Sequence, residues 1–146
     1  MEIRIIKKEE MKKALDLVWR TFLEYEAPDY TEEGIQEFKK SIDDEIWQNE
    51  RDFYGAFEND EIRGVIATKD KTHISLFFVD GRFHKQGIGK RLYQKICSIN
   101  DKGVFTVNSS PYAKEVYHRL GFRSIDNEQC INGLRFIPMK AEINHN

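Results

Sequence analysis

Apolar residues recur along this chain with two different periods. Met11, Leu15, Val18 and Phe22 fall at helical spacing and share one face, so they predict an amphipathic helix that Pro28 ends. Ahead of it, "EIRIIK" (2–7) reads as a short strand. A second apolar stripe, Ile35, Phe38, Ile42 and Ile46, predicts another helix. Thr31 is placed to cap that helix, with Glu32 and Glu33 at its positive end. From residue 51 the period shortens. "RDFYGAFEN" and "EIRGVIATK" read as strands joined by a turn at Asn59-Asp60. "THISLFFVD" is a third strand, and its mostly apolar run Ile74–Val79 predicts burial on both faces.

Helical spacing returns over about 87–99, where Ile88, Leu92, Ile96 and Ile99 form the stripe. "GVFTV" (103–107) is another buried strand. "SSPYAKEVYHRLGF" carries both ends of a short helix: Ser110 as N-cap, Pro111 at the first helical position and Gly121 just past the end. "INGLRFIPMKAEI" alternates enough for a final strand, with "RSIDNEQCI" as its hairpin partner. The predicted order is β-α-α-β-β-β-α-β-α-β-β, an α/β fold with one mixed sheet and helices on both faces. The chain shows no repeat or linker, so residues 1–146 are expected to form a single domain.

Composition narrows the function classes. A net charge of −2 gives no global field that would draw the chain to nucleic acid or an anionic membrane. No apolar run approaches the ~20 residues of a membrane helix. The start, "MEIRIIKKEE", lacks a signal-peptide core, so a cytoplasmic location is expected. Cys97 and Cys130 show neither metal nor redox spacing and are expected as buried thiols in a reducing compartment. The histidines are scattered, and no metal site is expected. His73 and His118 read as ordinary surface residues.

The chemistry concentrates in "RFHKQGIGKRL", between the apolar strand and the following helix. A helix start carries free N–H groups and a partial positive charge, and glycines let an anion come close to them. Gly87 and Gly89 sit where such a nest would form, with Lys85, Lys90 and Arg91 around it. The same pattern suits a plain tight turn. A P-loop is excluded, since His84 and Arg91 occupy the positions that need Gly and Ser/Thr. A dinucleotide fingerprint is excluded, since Leu92 stands where the third glycine belongs.

His84-Lys85-Gln86-Gly87-Ile88-Gly89 resembles the acyl-CoA signature Gln/Arg-x-x-Gly-x-Gly/Ala of the GNAT N-acetyltransferase superfamily. "AKEVYHRLGF" resembles its second signature, a helix carrying Tyr117 four residues before Gly121-Phe122. The closing "NGLRFIPMK" is similar to a small-acceptor branch. The chain departs from the family at His84, where Gln or Arg is usual, and at Ser110, where many members carry Asn.

The resemblance implies acetyl transfer from acetyl-CoA, as cosubstrate, to a primary amine of a small molecule or peptide, with a non-catalytic acyl-CoA-binding module as the alternative. It implies that amides from Gln86 to Lys90 hold the diphosphate. Phe78 and Val79 would pair with the pantetheine arm, with the Val79 N–H near the acetyl carbonyl. Asn108 is the candidate amide partner for that arm, with Ser110 nearby.

Tyr117 would protonate the departing thiolate, a role that suits a phenol of pKa ~10; a packed core aromatic is the other reading. An alkylamine at pH 7 is mostly protonated, which costs about 4–5 kcal/mol if only its free base reacts. Glu24, Glu26 and Asp29 lie in the segment that borders the acceptor site in this family, yet a solvated acidic loop has the same look. No base is singled out. Tyr25 and Tyr30 either line an acceptor pocket, with Glu24, or anchor the loop. Strand edges at the C-terminal hairpin allow a homodimer.

Overall fold

The structure, a computed structural model, describes residues 1–143. Its strands are β1 (Glu2–Ile5), β2 (Asp52–Glu58), β3 (Glu61–Lys69), β4 (His73–Val79), β5 (Val104–Ser109), β6 (Arg123–Ser124), β7 (Gln129–Ile131) and β8 (Leu134–Glu142). Its helices are α1 (Met11–Tyr25), α2 (Glu32–Asp43), α3 (Glu45–Asn49), α4 (Ile88–Ile99) and α5 (Lys114–Arg119). The predicted order and mixed sheet are observed, with α3 as an addition and the predicted partner of the last strand divided into β6 and β7.

Local chemistry explains the boundaries. Thr31 accepts a hydrogen bond from the Gly34 N–H at 3.3 Å and starts α2. The second apolar stripe overshoots. Asp44 accepts from the Ile46 and Trp47 amides and restarts the chain as α3. Ile46 is therefore turned out, 73% exposed, and Trp47 packs edge-on against Phe53 instead. The β2–β3 turn falls at Asn59-Asp60, both left-handed.

The sheet runs β1-β2-β3-β4-β5-β8-β6, with β7 paired to β8. Every pairing is antiparallel except β4 with β5. That parallel pair shares only two register positions, His73↔Thr106 and Ile74↔Val107, before the strands part. The parting begins at a bulge. Thr68 faces Ile74 and Ala67 faces Leu76, so Ser75 is the extra residue in β4.

The bulge also divides the side chains of β4. Leu76 and Phe78 join the core under α1 and α2, with Leu17, Val18 and Phe22. Ile74, Phe77 and Val79 join the core on the other face, with Leu92, Ile96 and Tyr117. The run is thus covered on both faces, as its composition predicts. His73 is not a free surface residue: its Nδ1 lies 2.8 Å from the Thr106 hydroxyl, across the short parallel seam. Burial and Arg51 push its pKa down. Cys97 is half-buried, whereas Cys130 is exposed on β7 rather than buried as expected; both are free.

Candidate active site

The parting of β4 and β5 opens a cleft of about 500 Å³. Its outer end is made largely of backbone. Gly87, at φ +79°, takes the left-handed conformation and ends the loop as the N-cap of α4. The Arg91 N–H is the first to reach a helical acceptor, the Gly87 carbonyl at 3.1 Å. The N–H groups of Ile88, Gly89 and Lys90 precede it and have no acceptor within the helix. A Cβ at Gly89 would meet Phe77 at 3.5 Å and Val79 at 3.8 Å, which is ordinary contact. The free protein does not itself require glycine there, and its absent side chain leaves the helix start open to close approach. Lys85 and Lys90 line this end and supply charge.

One wall is the open edge of β4. The Asp80 N–H bonds the Arg63 carbonyl of β3 at 2.9 Å. By strand alternation, Val79 and Phe77 turn their own N–H and C=O groups the other way, into the parting. The Val79 carbonyl lies 2.8 Å from Nε2 of His84. The Phe77 and Val79 N–H groups are left as donors on that edge.

Asp80 fixes the loop from beneath. It is 4% exposed and accepts from the Arg82 amide (3.0 Å), from Arg82 Nε (3.2 Å) and Nη2 (2.9 Å), and from Arg20 Nη2 (3.2 Å). Arg82 first, with Arg20 adding, holds this carboxyl below the usual carboxylate range. Arg20, Glu24, Tyr25, Asp80, Gly81 and Arg82 line a separate polar recess beside the cleft.

The inner end is made of side chains. Ala113, Val116, Tyr117 and Leu120 share the α5 face that lines the cleft. Ser110 caps the turn before α5 through the Ala113 N–H at 3.1 Å. Past the helix end, the Phe122 N–H returns to the Tyr117 carbonyl and the Gly121 N–H to the His118 carbonyl, at 3.0 Å each. Both ends of α5 are therefore pinned, and so is Tyr117. The Tyr117 ring meets Phe77 and Phe122 edge-on and is 5% exposed. Burial, with the charge of Glu26 adding, pushes its phenol above the ordinary range.

Glu26, at the end of α1, lines the same cleft. Desolvation raises its pKa to about 7; Ser110 pulls the other way, and Asp29 adds to the rise. Tyr25 stacks on Tyr112 at 5.5 Å and lies 5.1 Å from the His84 ring, so an aromatic row crosses the cleft mouth.

The structure therefore brings together Phe78, Val79, His84, Lys85, Gly87, Ile88, Gly89, Lys90, Tyr117 and Tyr25. Gln86, Asn108, Ser110, Glu24 and Tyr30 lie outside the cleft lining. Asn108 is exposed on β5 opposite Pro138. Tyr30 stacks on Phe22 and donates its hydroxyl to the Arg135 carbonyl at 3.1 Å, which ties the α1–α2 segment to β8. Of the three acidic residues the sequence offers here, Glu24, Glu26 and Asp29, the structure places Glu26 in the cleft lining, and it adds Tyr112, which the sequence does not mark.

This is an open α/β fold with a ligand-sized cleft where its sheet parts. The chain belongs to the GNAT acetyltransferases: the family model described as "Acetyltransferase (GNAT) domain" matches residues 26–143. A GCN5-related N-acetyltransferase from Rhodopseudomonas palustris is similar in structure (TM-score 0.82, 20% identity, 97% of this chain and 95% of that one). So is the PaiA N-acetyltransferase of Thermoplasma acidophilum in complex with coenzyme A (TM-score 0.75, 20% identity, 97% and 99%). Tetrahymena GCN5 gives a TM-score of 0.72 at 14% identity over 100% and 98% of the chains. Curated protein sequences give no match. Among the described residues no helix is long and apolar enough to cross a membrane, and no cluster of side chains could hold a metal ion.

Proposed function

We propose that this acyltransferase moves the acetyl group of acetyl-CoA directly to a primary amine of a small molecule or peptide. The observation that carries the reading is a single cleft lined by a helix start with free N–H groups, an unpaired strand edge and a buried tyrosine. These three features match three needs of the reaction.

Acetyl-CoA supplies the acetyl group as a thioester. The amides of Ile88, Gly89 and Lys90 hold its diphosphate, helped by Lys85 and Lys90. The Val79 edge receives the pantetheine arm as an added strand would be received, and its N–H polarises the acetyl carbonyl. Tyr117 holds a proton at every physiological pH, because its environment raises the phenol's pKa. It delivers that proton to the departing sulfur.

The test is thiol release from acetyl-CoA with a panel of primary amines. Tyr117→Phe is expected to lower kcat by about 100-fold, the lower end of what general acid catalysis contributes. Its affinity for CoA should be unchanged. Tight CoA binding with no turnover on any amine would make the protein a non-catalytic binder.

A further inference from the structure

We infer that Glu26 receives the acceptor's ammonium group and takes its proton, so that the acceptor is a primary alkylamine with no carboxylate beside the reacting nitrogen. This rests on the transfer reaction proposed above.

The cleft carries charges of both signs. Its cationic side chains, Lys85, Lys90 and Arg119, all line it, yet none forms a salt bridge with Glu26 and none depresses its pKa. A desolvated carboxylate normally has a cation of its own. Here the described residues supply none. The neighbours that act on Glu26 are the Ser110 hydroxyl and Asp29; Tyr117 and Tyr30 in turn feel its charge. Without a cation of its own, Glu26 is partly protonated near neutral pH and open to a cation carried by the ligand. An amino acid's α-amine would bring a carboxylate toward Glu26 and Asp29 and be repelled; an isolated alkylammonium is drawn in.

The two titrating groups are coupled in a useful order. Glu26 carrying its charge is one of the two causes that raise the Tyr117 phenol. When the ammonium gives a proton to Glu26, that cause disappears and Tyr117 becomes a better acid. The nitrogen then forms its bond to the acetyl carbon, and the C–S bond breaks with its electron pair on sulfur. Sulfur takes the Tyr117 proton, and the second nitrogen proton restores Tyr117. Glu26 returns its proton to solvent. The sum is ammonium plus thioester giving amide, free thiol and one proton.

The test compares two acceptors with wild type and Glu26→Gln: a simple alkylamine such as butylamine, and trifluoroethylamine, which is largely neutral at pH 7. Wild-type kcat/KM for butylamine should rise with pH through about 7, following the Glu26 titration. In Glu26→Gln the break near 7 should vanish, leaving a rise that follows the amine's own titration toward ~10, and butylamine turnover at pH 7 should fall by about 100-fold or more, with trifluoroethylamine little changed. Glu26→Asp should recover part of the loss. Equal losses on both acceptors, or none on butylamine, overturn the inference. So does a Glu26→Gln protein that no longer binds acetyl-CoA in calorimetry, since Glu26 would then be holding the cleft together. A wild type that transfers only to neutral amines overturns this inference alone; one that transfers to no amine removes the reading beneath it.

Discussion

Asp80 and Glu26 are both desolvated carboxylates, and they are placed in opposite ways. Asp80, under the glycine loop, has Arg82 and Arg20 and sits below the usual carboxylate range. Glu26, at the inner end of the cleft, has no cationic partner among the described residues and is pushed up to about 7. The first arrangement is finished by the protein itself; the second is left open. A finished ion pair holds a loop still, while an unfinished one attracts and titrates. The same contrast runs through the whole cleft, whose outer end is backbone held rigid and whose inner end is side chains poised to exchange protons.

The contrast can be broken from either side. The largest expected effect is at the outer end. Gly89→Ala adds a methyl group at the helix start where the free protein has room for a Cβ. CoA affinity in calorimetry should fall by about 10- to 100-fold, the worth of one charge-assisted hydrogen bond or more. The melting temperature should change little, and unaltered affinity would remove the helix start from the binding site.

Stability against pH should separate the two carboxylates next. Asp80 has a lowered folded pKa, so its contribution is present at neutral pH and lost on acidification through that value. Asp80→Ala should cost about 1–3 kcal/mol at pH 7 in denaturant unfolding and less in acid. Glu26 has a raised folded pKa, so the folded state holds its proton more tightly than the unfolded one. Wild type should therefore lose stability relative to Glu26→Gln as pH rises from 4.5 to about 7. Parallel curves would remove the contrast.

The smallest effect is at Ser110, which caps the turn before α5 and faces Glu26. Ser110→Ala should destabilise by about 0.5–1 kcal/mol. It should also move the rising limb of the kcat/KM profile to higher pH.

These differences also explain what could be read from the chain alone. The glycine turn and the Tyr117–Gly121 helix end are local: a left-handed Gly87 or a Schellman closure at Gly121 depends on a few consecutive residues. The inner end is not local. Glu26, at the end of α1, acquires its environment from Ser110 and Asp29 and acts on Tyr117, which α5 supplies. In sequence it looks like its neighbours Glu24 and Asp29. Tyr30 is as visible as Tyr25, but only the folded chain shows that one reaches the β8 backbone while the other faces the cleft. Ile46 misled because periodicity carries no information about the Asp44 cap that interrupts it. The Ser75 bulge, which parts the sheet, has no signature at all.

That parting has a mechanical consequence. The sheet is two leaves, β1 to β4 and β5 with β8, β6 and β7, stitched along their common edge at only His73 and Ile74. An elongated guest lodged in the gap would act as the thread that closes the book. Occupancy should slow amide exchange on Phe77 and Val79, and thermal tolerance should climb with guest concentration even though no residue of the protein has changed.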